Sequence, residues 1–298
     1  MSKVEIMEIR DGYTHDGYFH ADEVIATVFL LSLNPQIIIH RVSEITEDVR
    51  VNERNIIYDI GLGKYDHHQE NRRMNEYGYP YSAFGLLWED YGRDFLKKKG
   101  FTKIETAFLR FKENIVSKID QGDNCGYNNV VGFRENYVIK QFNANWYELK
   151  ISPKVQEEQF DKALNYATLL FDNWTRKLFE QVEMPEKEKK IFLEAIKNEE
   201  EGVMVLGENI PWREYLSEED DSIKIVISKN LRGGYNVSSV DTTKVKILPN
   251  QYLSFVHPAN FMGIADTLPL ALEAARCILS DFKVPKKEVL TQKIPFWG

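Results

Sequence analysis

Residues 14–33 read THDGYFHADEVIATVFLLSL, two histidines and three acids followed at once by an apolar run. From about Ala21 to Leu33 this predicts a helix in which Val24, Ile25, Val28, Phe29 and Leu31 leave almost no polar face. A helix apolar nearly all round is buried, so its polar mouth must serve something inside the protein. Working outward, Val4 to Ile9 reads as a short strand and 11–20 as the loop that follows it. QIIIH (36–40) and NIIYDI (55–60) are β-branched runs of the kind found in strands covered on both faces. Strands alternating with helices predict βαβ units and a mostly parallel sheet.

Further along, helices are expected near 83–98, with Phe84, Leu87, Trp88 and Tyr91 at helical spacing, and near 103–119. The chain reads as helical over 155–200, with a break at MPEKE around Pro185. GVMVLG (202–207), IKIVIS (223–228) and YNVSSV (235–240) are strand-like, and a last helix is expected near 267–280. An α/β protein of two domains follows, 1–185 and 186–298, the second smaller.

The bulk composition narrows the function. Apolar residues at 43% and charged residues at 28% argue against disorder. No apolar run approaches the roughly 20 residues that span a bilayer, and MSKVEIMEIRDG has no signal-peptide pattern. With only Cys125 and Cys277 there is no disulfide framework and no CxxC metal site. A cytoplasmic protein with no membrane partner is the expectation, with a homo-oligomer left open. The net charge of −8 means that any phosphate-bearing substrate needs a local positive site, which metal ions can supply.

Four clusters can supply such a site: His15, His20 and Asp22; Asp59 at the end of NIIYDIG; Asp66-His67-His68 within KYDHHQ; and Asp120 within IDQGDN. Each has a plainer reading. Asp22 and Glu23 complement a helix dipole, Asp59 before a glycine forms a turn, His67-His68 lie on the surface, and Asp120 serves a helix end. The joint pattern says more, because five of the six histidines fall in the first 68 residues and four of them in two acid-rich clusters. Oxygen and imidazole ligands without thiolate suit Mn, Mg, Fe, Co or Zn, and the number of ligands exceeds one tetrahedral ion.

HDGYFHADEVIA, YDIG, YDHHQ, YSAFGLLWEDYG and KIDQGDN occur here in the order expected of the melanocyte-proliferating-gene-one family. The chain resembles that family, of the DHH phosphoesterase superfamily, through FNANW, PWREYL, RGGYNVSSV and FVHPANFMG as well. The resemblance implies a DHH-type N-terminal domain, a smaller C-terminal α/β domain, and an active site in the cleft between them. It also implies two divalent metal ions, Mn first. His15, His20 and Asp59 would hold one ion and Asp22, Asp59, His67 and Asp120 the other, with Asp59 bridging. His68 would face substrate phosphate and Asp66 would orient the histidine pair. Two departures stand out: His20-Ala-Asp22 where the superfamily has D-x-D, and LPNQY running almost directly into FVHPANF where the family has a longer insert.

Two metals would lower the pKa of a bound water, polarise phosphoryl oxygens and neutralise the leaving oxygen; no GxSxG elbow or Walker loop offers another route. Asp59, His67 and His68 are the expected catalytic residues. Arg232, Gly233, Gly234 and His257 are expected with His68 on the substrate, the plainer reading of the glycine pair being a hairpin turn. Trp146 and Trp212 are candidates for base stacking or for core, and Arg134 is a lesser phosphate candidate. The reading that results is a metal-dependent phosphodiesterase, a 3′-to-5′ exonuclease on RNA or short oligonucleotides. The alternatives are a hydrolase of a small phosphate ester (a nucleoside phosphate, a dinucleotide or pyrophosphate) and a metal-stabilised binding protein without turnover.

Overall fold

The computed structural model describes residues 5–126, 130–152, 154–216 and 222–283; Val4 of the expected first strand lies outside them. The chain forms two compact units, 1–184 and 185–298.

The first unit runs β1 (Asp11–His15), α1 (Ala21–Leu33), β2 (Ile38–Val42), α2 (Glu47–Val51), β3 (Asn55–Ile57), α3 (Ala83–Lys98), α4 (Ile104–Phe111), α5 (Ser117–Cys125), α6 (Glu135–Lys140), α7 (Trp146–Ile151) and α8 (Val155–Glu183). Its three-stranded sheet is wholly parallel in the order β2-β1-β3. The central strand is therefore DGYTH, not the apolar run before it, where residues Ile6–Glu8 make a single 3-10 turn. Glycine explains the misreading. A side chain at Gly12 would meet Ile39 Cδ1 at 2.9 Å and Ile37 Cγ2 at 3.3 Å, so this buried position of the strand has to be bare. Strand β2 also departs from expectation. It is an edge strand with Ile38 60% exposed, so it is not covered on both faces.

Helix α1 is the buried platform its sequence predicts. Eleven of its thirteen residues are buried, and Phe29 meets Phe84 and Phe95 of α3 edge-on at 5.6 Å and Phe171 of α8 at 6.1 Å. Each such ring contributes about 1.5–3 kcal/mol by leaving water. The helix expected over 103–119 is interrupted by a π turn over Lys112–Val116, which inserts extra backbone between α4 and α5. There Lys112 is buried and its ammonium donates to Glu76 and Glu89 at 2.6 Å and to the Tyr81 hydroxyl at 3.0 Å. The ammonium ties the loop before α3 to the helices behind it.

The second unit runs α9 (Pro185–Lys197), β4 (Val203–Val205), β5 (Ile225–Lys229), β6 (Tyr235–Ser239), β7 (Phe255–Val256), β8 (Met262–Ala265) and α10 (Leu268–Lys283). Its sheet has the order β4-β5-β6-β8-β7; β4 and β5 are parallel and the remaining pairs antiparallel. Alternation along β5 sorts two cores. Ile225 and Ile227 pack with Ala271 and Ala275 of α10, and Val226 packs with Met204, Phe192 and Trp212. The protein is thus a mixed α/β protein, with a parallel sheet and a mixed sheet flanked by helices. Among the described residues no helix is long and apolar enough to cross a membrane.

Candidate metal centre

In parallel α/β sheets, ligands gather beyond the carboxyl ends of the strands. Here β1 ends in His15, and β3 leads through Tyr58 to Asp59. Asp59 has φ 58°, a left-handed conformation that aspartate tolerates better than most residues. Helix α1 begins beside them with His20 at its N-cap and Asp22 and Glu23 in its first turn. The Glu23 carboxylate accepts the His20 backbone N–H at 2.8 Å, which fixes the loop to the helix it opens.

The side chains converge on Asp59. His15 Nε2 lies 3.3 Å from Asp59 Oδ2 and 3.1 Å from Glu23 Oε1. His67 Nε2 lies 3.0 Å from Asp59 Oδ1, 3.3 Å from Asp123 Oδ2 and 3.6 Å from Asp22 Oδ2. His15 donates from Nδ1 to the Asp16 carbonyl at 2.8 Å, leaving Nε2 as its ligand nitrogen. Ligand atoms lie within 4.8 Å of one another in four sets: His15, His20 and Glu23; Asp59, His67 and His68; His20, Asp22 and Asp123; Asp22, Glu23 and Asp59.

Of the six expected metal ligands, His15, His20, Asp22, Asp59 and His67 come together. Asp120 does not join them. Its Oδ1 accepts from the Ser82 backbone N–H at 2.9 Å and hydroxyl at 2.8 Å, and its Oδ2 accepts from Asn75 at 2.9 Å. Ser82 is the N-cap of α3, and the first amide of that helix, Ala83 N–H, donates to Asp22 Oδ2 at 3.3 Å. Asp120 therefore sits behind the site, fixing the helix end that faces Asp22. Asp123, three residues on, takes the place expected of Asp120. Glu23, read in the sequence as a partner of the helix dipole, also joins the cluster. The signal for Asp123 was present in IDQGDN, but spacing alone does not say which of two inward-turned acids on one helix faces the cluster.

Asp66 is narrower in reach than expected. It accepts from His68 Nδ1 at 2.7 Å, His68 N–H at 3.0 Å and Leu62 N–H at 2.6 Å, and so orients His68 alone. His67 Nδ1 is buried without a hydrogen-bond partner.

The electrostatics of this pocket call for cations. Burial pushes Asp123 up to about 9, with the Asp22 charge adding, and Glu23 up to about 8 against the pull of His15. Burial also opposes ionisation of Asp59, but hydrogen bonds from His15 and His67 outweigh it and hold this carboxyl down at about 2. The same contacts outweigh burial at the imidazoles, raising His15 to about 11 and His67 to about 10. Oδ1 of Asp22 is buried with no hydrogen-bond donor, and Oδ1 of Asp59 has only His67 Nε2 beside it, at 3.0 Å. A buried carboxylate oxygen without a donor is costly, and a metal ion is the partner this donor set fits: imidazole and carboxylate, no thiolate.

Apart from His68, the expected substrate residues belong to the second unit. Arg232, Gly233 and Gly234 form the β5–β6 hairpin turn, with Asn230 N–H donating to Gly234 O at 2.9 Å and φ values of 100° and 73° at the two glycines. His257 follows β7, accepts the Ala259 N–H at Nδ1 and lies against Phe261, ring centroids 4.3 Å apart. Trp212 is buried, whereas Trp146 is 72% exposed and not core. Arg134 is the N-cap of α6.

Residues 13–253 match the family model MYG1_exonuc, described as an uncharacterised protein family, UPF0160. This chain belongs to that family. The MYG1 protein YER156C of Saccharomyces cerevisiae is 25% identical over 90% of this chain and 95% of its own length. The MYG1 protein C694.04c of Schizosaccharomyces pombe is 24% identical over 88% and 95%, and the MYG1 protein of Dictyostelium discoideum 22% over 76% and 77%. The matched span takes in every residue of the metal cluster, since it begins at Tyr13.

Proposed function

We propose that this MYG1-family chain is a metal-dependent phosphodiesterase of the DHH phosphoesterase type, acting as a 3′-to-5′ exonuclease on RNA or short oligonucleotides. One observation carries the reading: seven buried or half-buried side chains with ligand atoms, His15, His20, Asp22, Glu23, Asp59, His67 and Asp123, gather in one cluster around a buried Asp22 oxygen that has no hydrogen-bond donor. The exonuclease element in the family's name supports the choice of substrate.

Two divalent cations, manganese first, would supply Lewis acidity and an activated water. The chain's part is to position. His15, His20 and Glu23 form one half of the ligand set, Asp22, His67 and Asp123 the other, and Asp59 touches both. The His15–Asp16 contact keeps Nε2 of His15 free to ligate. Asp66 holds His68 through Nδ1, which leaves Nε2 of this exposed ring for substrate phosphate. The N-terminus of α3 holds Asp22 from behind. Residues 186–298 would grip substrate, through Arg232, Gly233, Gly234 and His257.

The net charge of −8 favours a second reading, hydrolysis of a small phosphate ester or pyrophosphate, because a long polyanion gains little from an acidic surface. Product analysis on 5′-labelled RNA, DNA, dinucleotides and pyrophosphate, with Mn and with chelator, decides. A ladder shortened from the 3′ end and abolished by chelator is expected. Turnover of pyrophosphate alone selects the second reading, and metal uptake without turnover on any substrate rejects both.

A further inference from the structure

A cavity of about 820 Å³ opens on the first unit along the free edge of β3, and the metal cluster does not use it. It borders Asp66 and His67, but His15, Asp22, Asp59 and Asp123 are not in its wall. Its floor is formed by nearly buried residues, Ile9, Ile56, Leu86 and Tyr91. Leu62 stands at its wall 64% exposed, in a left-handed conformation of φ 54° that a leucine rarely adopts. An exposed apolar side chain held in an unfavourable backbone beside an apolar floor points to a bound molecule with a flat apolar body.

The charge of the wall gives the rest. The whole chain has 46 acids against 38 Lys and Arg, yet this cavity is lined by Arg50, Lys64, Arg72 and Arg73 and by one acid, Asp66. Asp66 is already saturated by Leu62 and His68. Lys64 is held by Asp90 at 2.5 Å and Arg50 by the Gly61 carbonyl at 2.9 Å. Among the described residues, Arg72 has only a long hydrogen bond to Asn124, at 3.4 Å, and Arg73 lies over the Tyr81 ring at 5.2 Å, with Asp90 acting on it at longer range while that carboxylate is held directly by Lys64 and the Tyr65 hydroxyl. Two guanidiniums on the wall of one cavity, neither in a direct ion pair among the described residues, suit a phosphate, which Arg grips in bidentate fashion. Strand β3 is an edge, and an edge strand presents amide N–H and C=O groups able to read the polar rim of a heterocycle.

We infer that this cavity is a binding site for a nucleoside monophosphate, its phosphate on Arg72 and Arg73 and its base between Leu62 and the apolar floor. The site goes beyond the proposed hydrolysis and does not depend on it, because no metal ligand other than His67 borders the cavity. Its volume is within the roughly 300–1,000 Å³ of small-molecule pockets.

Isothermal titration of the full chain with AMP, adenosine and inorganic phosphate, in chelator and in Mn, tests the site. AMP should bind saturably, one per chain, with chelator present, and both adenosine and phosphate should bind at least tenfold more weakly. An Arg72→Ala/Arg73→Ala double variant should weaken AMP by roughly tenfold or more while keeping the parent melting temperature and Mn uptake, both side chains being exposed. Phosphate binding as tightly as AMP, AMP binding only when Mn is present, or the double variant binding like the parent would each overturn the assignment. Loss of exonuclease activity in the assay above, with AMP still bound in chelator, would leave this site standing and reject only the hydrolase.

Discussion

Asp120 and Asp123 lie three residues apart on α5, yet their carboxylates serve different neighbours: Asp120 holds Ser82 and Asn75, and Asp123 faces His67 at 3.3 Å. Two substitutions should therefore separate. Asp123→Asn should lower metal affinity by more than the roughly tenfold to hundredfold of an outer-shell change, with little loss of stability. Asp120→Asn places an amide against the Asn75 amide donor and should cost about 1–3 kcal/mol of stability, with the smaller effect on metal. Metal titration and urea unfolding of both variants read the contrast; equal metal affinities would return Asp120 to the ligand set.

Asp59→Asn should abolish turnover and at least halve metal content while the fold persists. Asparagine tolerates the left-handed backbone at φ 58°, so the substitution removes charge without adding strain. Near-normal turnover in metal-defined buffer would show that Asp59 does not bridge.

Gly122→Ala tests how closely α5 is held. An added methyl would fall on the Asn136 amide, which is 2% exposed and donates to the Lys118 carbonyl at 3.1 Å. With no room to move outward, the clash should cost about 1–3 kcal/mol. Urea denaturation should show a lower midpoint with an unchanged slope, and metal affinity should fall as Asp123 shifts.

A pH effect is expected at a residue outside the metal-binding cluster. Glu183, on α8, accepts Thr102 N–H and Lys103 N–H at 2.9 Å and the Thr102 hydroxyl at 2.6 Å, capping the start of α4. Burial opposes its ionisation, but these bonds outweigh burial and hold its carboxyl below the ordinary value of 4.5. A lowered folded pKa gives stability that is present above 4.5 and lost as pH falls through the folded value. Glu183→Gln should cost about 1 kcal/mol at neutral pH, and its melting temperature should converge on that of the parent in acid. A constant difference across pH 3–7 would show that the charge plays no part.

What could be read from residues alone follows physical lines. Helix α1 was legible because it is apolar on all sides, and α3 because its aromatics recur at helical spacing. Strand β1 was not, because its buried positions are Gly12 and Thr14 and its apolar contribution comes from neighbouring strands. The cluster was legible through its histidines, which are scarce in this chain. Glu23 and Asp123 were not, because acids are common, and only the path of α1 and α5 decides which of them face the cluster. The exposed edge of β2 was hidden for the opposite reason: three successive isoleucines look the same at an edge as at a centre.

The π turn at Lys112–Val116 makes the centre sensitive to chain length. A π turn holds one residue more than an α turn, and each residue of an α-helix advances the azimuth by about 100°. Deleting a single residue there would let α4 run unbroken into α5 and would swing Asp120, Gly122 and Asp123 round the axis together. The two acids would leave Ser82 and His67 at once, although neither had been replaced. Insertions and deletions across 112–116 should therefore be far less tolerated than substitutions at Glu113 and Asn114, the exposed positions of the turn, a difference that a deletion scan scored by metal retention would reveal.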